Sequence, residues 1–165
     1  SILTECKMMS ERKGGGKPLL LKLSPDNSDD EVIASAQMAL RKGIDGFVAT
    51  NTTLHRPVPR NAASRSVFAE SGGLSGRPLQ ARSNEVIRLL YEETQSTVPI
   101  IGVGGIDSVD TAWQAVSSGA SLLQLYSALI FNGPSVVSGI VKGLKKRVKE
   151  NGFLGIEEAV GLDIT

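Results

Sequence analysis

The sequence predicts an α/β fold with a parallel sheet, and three observations carry that prediction. Four short, almost uninterrupted apolar runs lie at 19–23, 46–50, 99–103 and 121–126, with helical patterns between them. Continuous rather than alternating apolarity is the pattern of parallel strands covered on both faces. Strict alternation of strand and helix implies crossover connections between parallel neighbours. The polar and glycine clusters worth attention fall at the C-terminal ends of these runs, where parallel α/β folds bind ligands.

Taken in order, Ile2–Arg12 reads as a helix, and Gly14–Gly16 as a flexible loop leading to the first strand. A helix over Asp29–Arg41 carries Val32, Ile33, Ala36, Ala39 and Leu40 as one stripe. Ser28 and Glu31 have capping-box spacing before it, and Gly43 stops it. After the second strand, a helix over 83–94 aligns Val86, Leu89 and Leu90. After the third, a helix starting near Ser108 places Val109, Ala112, Trp113 and Val116 on one face and stops at Gly119. Pro134 opens the last helix, with Val137, Ile140, Val141, Leu144 and Val148 on its apolar side and an end near Gly152. The order is α-β-α-β-α-β-α-β-α, with no internal repeat. An open doubly wound sheet and a barrel both fit it. Four strands cannot close a side-chain-filled barrel, which takes about eight and about 250 residues. As a barrel, this chain is half of one, with two unpaired edges that need the other half.

The bulk numbers exclude several classes. The chain has 165 residues, enough for one domain, and 41% hydrophobic residues. Its net charge of +1, from 18 basic and 17 acidic residues, argues against a nucleic-acid footprint. Cys6 is the one cysteine, so no internal disulfide forms, and a reducing compartment fits. No apolar run reaches the roughly 18 residues of a membrane span, and no signal peptide is visible. The start at Ser1 rather than methionine suggests a processed or truncated product. Cys6 and His55 are isolated, so no metal site is expected.

The chemistry sits at the strand ends. Lys22 interrupts the apolar run Leu19-Leu20-Leu21-Lys22-Leu23, so it either snorkels outward or points at a ligand. An unpaired buried ammonium costs several kcal/mol, so an inward lysine needs an anionic partner. Thr50-Asn51-Thr52-Thr53 offers four hydrogen-bonding side chains in succession, reading either as a ligand segment or as a polar loop start. Gly102-Val103-Gly104-Gly105 is a glycine turn whose backbone N–H groups could approach a phosphate. The last run ends Tyr126-Ser127, and 127–131 could be the short extra helix of a barrel phosphate site. The loop 54–82 far exceeds the usual two to six residues. It carries Gly72-Gly73-Leu74-Ser75-Gly76 at its far end, and 56–70 is a candidate lid. His55 reads as a solvated loop residue, Trp113 as core packing, and Cys6 with Met8 and Met9 as local packing. Lys142, Lys145, Lys146, Arg147 and Lys149 read as the wet side of the last helix.

Five motifs occur in order: Leu-Lys-Leu-Ser-Pro-Asp at 21–26, Ile-Asp-Gly-Phe-Val-Ala-Thr-Asn-Thr-Thr at 44–53, Gly-Gly-Leu-Ser-Gly-Arg-Pro-Leu at 72–79, Pro-Ile-Ile-Gly-Val-Gly-Gly-Ile at 99–106 and Gly-Ala-Ser-Leu-Leu-Gln-Leu-Tyr-Ser-Ala-Leu at 119–129. Each is weak; the ordered set, running from 18 to 161, resembles the dihydroorotate dehydrogenases of the quinone-linked class 2. The class 1 enzymes differ around the Asn-Thr-Thr and Leu-Tyr-Ser segments. The resemblance implies a (β/α)8 TIM barrel, of which residues 1–165 supply the C-terminal four βα units. It implies FMN-dependent oxidation of (S)-dihydroorotate to orotate in pyrimidine (UMP) synthesis, with ubiquinone or a similar quinone as acceptor. By the same resemblance Lys22 contacts the flavin ring, which provides the anionic partner. Thr50, Ser75, Gly76 and Val103 also contact FMN, Gly104, Gly105, Tyr126 and Ser127 hold its phosphate, and Asn51 and Thr52 bind the substrate. The family's serine base, further substrate asparagines and quinone-binding helices belong to the first half of the barrel. Neither Ser1 nor Ser10 replaces that base, so this chain alone is expected to be inactive. The implied location is peripheral on the mitochondrial inner membrane, or on the cytoplasmic membrane of a bacterium. The alternatives are another FMN-barrel oxidoreductase of the dihydropyrimidine type and a non-catalytic half-barrel.

Overall fold

Residues 2–59 and 61–164 are described by the computed structural model, in which four parallel strands lie side by side in chain order. These are β1 (Leu20–Leu23), β2 (Gly46–Ala49), β3 (Ile100–Val103) and β4 (Leu122–Gln124). Each is shorter than its apolar run. Pro99 has no N–H for the ladder and only accepts, from Phe47 N at 3.0 Å. Leu19 is instead tied to Asp45, its N–H donating to Oδ2 at 2.7 Å.

The helices are α1 (Ile2–Arg12), α2 (Asp29–Arg41), α3 (Ala62–Phe68), α4 (Gln80–Thr94), α5 (Val109–Ser117), α6 (Ser127–Asn132) and α7 (Ser135–Glu150). The bounds expected for α1 and α2 hold. Ser28 and Glu31 make the reciprocal cap, with Ser28 N donating to Glu31 Oε2 at 2.8 Å. Ser108 and Thr111 cap α5 in the same way. Helix α4 begins at Gln80 rather than Ser83, because a 3-10 turn over Arg77–Leu79 with Pro78 in its first positions feeds directly into it. The long loop therefore ends earlier than 82, and α3 occupies part of it.

Strand order decides between the two topologies. A doubly wound sheet reverses its strand order to place helices on both faces. Here the order β1-β2-β3-β4 never reverses, and right-handed crossovers then put every crossover helix on one face. One core cluster confirms it: Val32 and Ala36 of α2, Ile87 and Leu90 of α4, Ala112 and Ala115 of α5 and Ile140 of α7 join Leu23, Phe47, Ala49 and Ile100. The opposite strand positions form a register row, Lys22–Val48–Ile101–Leu122, and Leu122 is 58% exposed. The strands read as apolar on both faces, yet only one face is covered within this chain. This one-way winding of βα units is that of part of a (β/α)8 barrel, whose inward row is filled jointly by all the strands.

Three packing expectations are corrected. Trp113 is half-buried outside the core cluster, roofed by the Arg147 guanidinium 5.4 Å from its ring centroid. Arg147, expected in solvent, also donates to Asp110 Oδ1 at 2.6 Å. Cys6, Met8 and Met9 are exposed, and α1 buries no residue, although Leu3 touches the core. The segment after α7 is also ordered against the body. It carries a 3-10 turn over Ile156–Ala159, and Gly161 N donates to Val116 O at 3.1 Å.

Two glycines of α7 are expected to respond oppositely to alanine. A Cβ on Gly139 meets nothing within 4 Å, so Gly139→Ala should stabilise by about 0.5–1 kcal/mol through helix propensity. A Cβ on Gly143 falls 2.1 Å from Val109 Cγ2 and 2.8 Å from Cγ1. A β-branched helical side chain has little rotameric escape, and overpacking of this kind costs about 1–3 kcal/mol. That outweighs the same propensity gain, so Gly143→Ala should lower Tm while Gly139→Ala raises it. Thermal denaturation of the two variants measures both.

Candidate functional site

The C-terminal ends of all four strands border one cleft of about 830 Å³, within the range of sites for small ligands. It brings together Lys22 from β1, Thr50, Asn51 and Thr52 after β2, and Ser75 and Gly76 from the end of the long loop. Val103, Gly104 and Gly105 enter from the end of β3, and Tyr126 and Ser127 from the end of β4. Lys22 lies in the inward row rather than among the helices, and it is exposed into the cleft.

The segment after β2 is not a simple alternation. Thr50 N donates to Val103 O at 2.8 Å and Asn51 N to Leu23 O at 2.8 Å, so successive residues bond the strands on either side. Thr50 is 2% exposed. Its hydroxyl lies 3.0 Å from Ser83 Oγ and 2.9 Å from Asn51 O, while Ser83 donates to Val103 O at 3.1 Å. The Thr50 proton is thus committed internally. Asn51 and Thr52 are exposed in the cleft, and Thr52 N donates to Asn51 Oδ1 at 3.0 Å. Thr53, the fourth polar residue, is buried and bridges to Leu74.

The Gly104-Gly105 turn requires glycine twice over. Their φ angles are +139° and +69°, a region L side chains avoid. A Cβ would stand 2.1 Å from Ser83 Oγ at Gly104, and 2.9 Å from Gln80 Cα at Gly105. The turn is therefore pressed against the first turn of α4. Among the described residues the backbone N–H groups of Gly104, Gly105, Tyr126 and Ser127 donate to no protein acceptor. Four unengaged donors on two adjacent strand ends form a cradle suited to a phosphate. Ser75 Oγ stands 2.8 Å from Ser127 Oγ, joining the long loop to the same rim.

Asp26, two residues beyond Ser24 at the end of β1, anchors the start of the long loop. It accepts from the Thr53 hydroxyl, and from Leu54 N at 2.8 Å. Burial opposes its ionisation. The bonds from Thr53 and Leu54 and the charges of His55 and Arg56 outweigh that, holding the carboxyl below its ordinary 3.8. A depressed carboxyl contributes stability above its unfolded pKa and loses it as pH falls through the folded one. Asp26→Asn is therefore expected to lower Tm by about 2–4 °C at neutral pH. The two proteins should converge as pH drops below 3.8. Melting curves across that window check it, and a pH-independent difference contradicts it.

Several cleft residues escaped sequence reasoning. Gln124 shares the inward parity of Leu122, a signal that strand periodicity offers. Asp107, just past the glycine turn, pairs with Arg77 at the rim, while its buried Oδ1 has no partner. Phe131 and Asn132 of α6 close one side. Ser83, behind Thr50, was legible only as a helix residue. His55 is exposed and engaged through its backbone N–H, which donates to Thr53 Oγ1 at 3.0 Å.

Comparison with known proteins gives one answer. The family model described as Dihydroorotate dehydrogenase matches residues 2–148. A relative from Trichodesmium erythraeum (strain IMS101), named dihydroorotate dehydrogenase (quinone), is 41% identical over 98% of this chain and 43% of its own length. One from Mus musculus, named dihydroorotate dehydrogenase (quinone), mitochondrial, is 45% identical over 95% of this chain and 40% of its own. The crystal structure of DHODH from Eimeria tenella in complex with ferulenol superposes with a TM-score of 0.82 at 36% identity, covering 92% of this chain and 40% of that one. The chain thus spans about 40% of the length of such relatives.

Proposed function

This chain belongs to the dihydroorotate dehydrogenase family, and from that premise we propose that it is the cofactor-holding, C-terminal half of an FMN-binding (β/α)8 barrel. The complete enzyme oxidises (S)-dihydroorotate to orotate in pyrimidine synthesis and passes the electrons to a quinone of the ubiquinone type. The observation that carries this reading is the composition of one cleft: an inward lysine, an exposed Asn-Thr pair and a cradle of unengaged N–H groups converge there.

The residues fit FMN. A dianionic phosphate suits the cradle of Gly104, Gly105, Tyr126 and Ser127, which no side chain at the two glycines would leave open. The Asp107 carboxylate in the same cleft is offset by Arg77. FMN, when bound, supplies the acceptor for a hydride from C6 of the substrate. Lys22 offers positive charge toward the ring, with Thr50, Ser75, Gly76 and Val103 lining its surroundings. Asn51 and Thr52 hydrogen-bond the pyrimidine and its carboxylate and fix its orientation. The C5 proton is taken by a serine of the other half of the barrel, so this chain binds and orients without supplying the base.

The other half is also the partner that the surface calls for. The open β4 edge is flanked by Leu122, 58% exposed, Ile130, 70%, and Phe131, 84%, apolar area that a monomer keeps covered. Among the described residues no helix is long and apolar enough to cross a membrane. For the whole enzyme the location is peripheral on the mitochondrial inner membrane or on a bacterial cytoplasmic membrane.

The test is assembly. Coexpressed with a polypeptide carrying the first four βα units, the chain should retain flavin absorbance through gel filtration and reduce a short-chain ubiquinone when given dihydroorotate. A colourless assembly removes the cofactor reading. A coloured assembly that oxidises a dihydropyrimidine lacking the carboxylate, and not dihydroorotate, moves the enzyme to the related dihydropyrimidine type.

A further inference from the structure

The residues that touch the cleft are held by residues that do not, and these form a connected set. Arg82 of α4 donates to Pro25 O at 3.0 Å and to Asn27 O at 2.7 Å, the carbonyls on either side of Asp26. Asp26 in turn receives the Thr53 hydroxyl and Leu54 N. Arg56 Nη1 donates to Thr53 O at 3.1 Å, and its Nη2 reaches Gly72 O, with Glu70 O at 3.4 Å. Thr53 and Leu74 exchange both backbone bonds, at 3.1 and 2.8 Å. The excursion 57–71 therefore leaves and returns through one neck centred on Thr53. At that neck Gly73 lies so close to Thr52 that a Cβ would fall 1.9 Å from its hydroxyl oxygen.

We propose that Arg56 is a positioning residue for the substrate: its guanidinium clamps the neck and so holds the Gly72–Gly73 backbone against Thr52, fixing Asn51 and Thr52 in the cleft. The inference rests on the reading that Asn51 and Thr52 hold the substrate. The guanidinium suits the task because its planar fork sends donors to carbonyls on both sides of the neck at once. A lysine ammonium carries its three donors on a single nitrogen and lacks the planar fork that spans both sides. The positive charge of Arg56 is also among the influences that favour the ionised form of Asp26. Arg56 is outside the cleft lining, so its effect passes through Gly73 and Thr52 rather than through contact with a ligand. Binding geometry is sensitive to such supports, since a shift of about 1 Å can cost on the order of 100-fold in rate.

The test uses the assembled enzyme with Arg56→Ala, Arg56→Lys and, as a control on the same loop, Arg65→Ala. Arg56→Ala is expected to keep its flavin, to raise KM for dihydroorotate by about ten-fold, and to lower kcat less. Tryptic cleavage after Arg65, exposed on α3, should accelerate by a similar factor. Arg56→Lys should resemble Arg56→Ala, and millimolar methylguanidinium should recover part of the KM of Arg56→Ala. The control should leave KM alone. An unchanged KM in Arg56→Ala overturns the proposal even if cleavage accelerates, as does full recovery by lysine. If the unsubstituted enzyme leaves dihydroorotate untouched, the substrate reading falls separately. Cleavage after Arg65 then decides the clasp, and a rate unchanged in Arg56→Ala overturns it.

Discussion

Gly105→Ala is expected to leave the assembled enzyme colourless. At φ +69° the alanine sits in left-handed backbone, a cost of about 1–2 kcal/mol before any contact is counted. Contact then decides the outcome. The new Cβ would stand 2.5 Å from Gln80 Cβ, 2.9 Å from its Cα and 3.0 Å from its N. Two of these are backbone atoms in the first turn of α4, which no rotamer change moves. The turn has to withdraw from α4 and carries its N–H groups with it. Each N–H bond to a charged phosphate is worth roughly 1.5–3 kcal/mol, so losing two weakens FMN binding by a factor of about 10² to 10⁴. Flavin absorbance per polypeptide after gel filtration, and titration of the stripped protein with FMN, read this directly. Gly72→Ala is the control. It too has positive φ, +113°, but its Cβ meets nothing within 4 Å, so colour should persist. A Gly105→Ala enzyme with normal FMN affinity would detach the glycine turn from the cofactor.

How much of this was legible beforehand depends on the range over which each signal acts. Helix α2 could be bounded from sequence because Ser28, Glu31 and the apolar stripe are all within one element. The cleft residues were legible for a related reason, since strand ends of a parallel sheet converge wherever the sheet itself is correct. Topology was not. Whether successive helices share a face depends on strand order, and continuous apolar strands suit a doubly wound sheet as well as the unfilled inner row of Lys22, Val48, Ile101 and Leu122. Helix α3 was missed because its cap, Asn61 with Ser64, opens a helix with no buried residue and hence no apolar stripe. Trp113 was misplaced because its helical phase is right and its cover is a cation from α7. The Asp26, Arg56 and Ser83 bonds join residues far apart in the chain, and periodicity carries no information about them.

Lys22→Met carries the largest expected effect on turnover. Lys22 is fixed by a strand, paired with Val48 in the middle of the ladder, so its stem is aimed before any ligand arrives. Among the described residues no ion pair or hydrogen bond engages its ammonium, and it opens into the cleft. Exposed in the cleft rather than buried, the ammonium is presented to whatever the cleft binds. Methionine keeps the length of the side chain and joins the apolar row of Val48, Ile101 and Leu122 without strain. Fold and flavin content should therefore survive, because the phosphate cradle is untouched. What disappears is a preorganised positive charge, and removing one such group typically costs about 10²–10³ in kcat. Turnover of dihydroorotate should fall by that order with bound FMN near the parental level. A variant losing turnover and flavin together would make Lys22 an anchor rather than a charge donor. If turnover stays within a few-fold, the ammonium snorkels to solvent, and the row beside β2 holds it only by its stem.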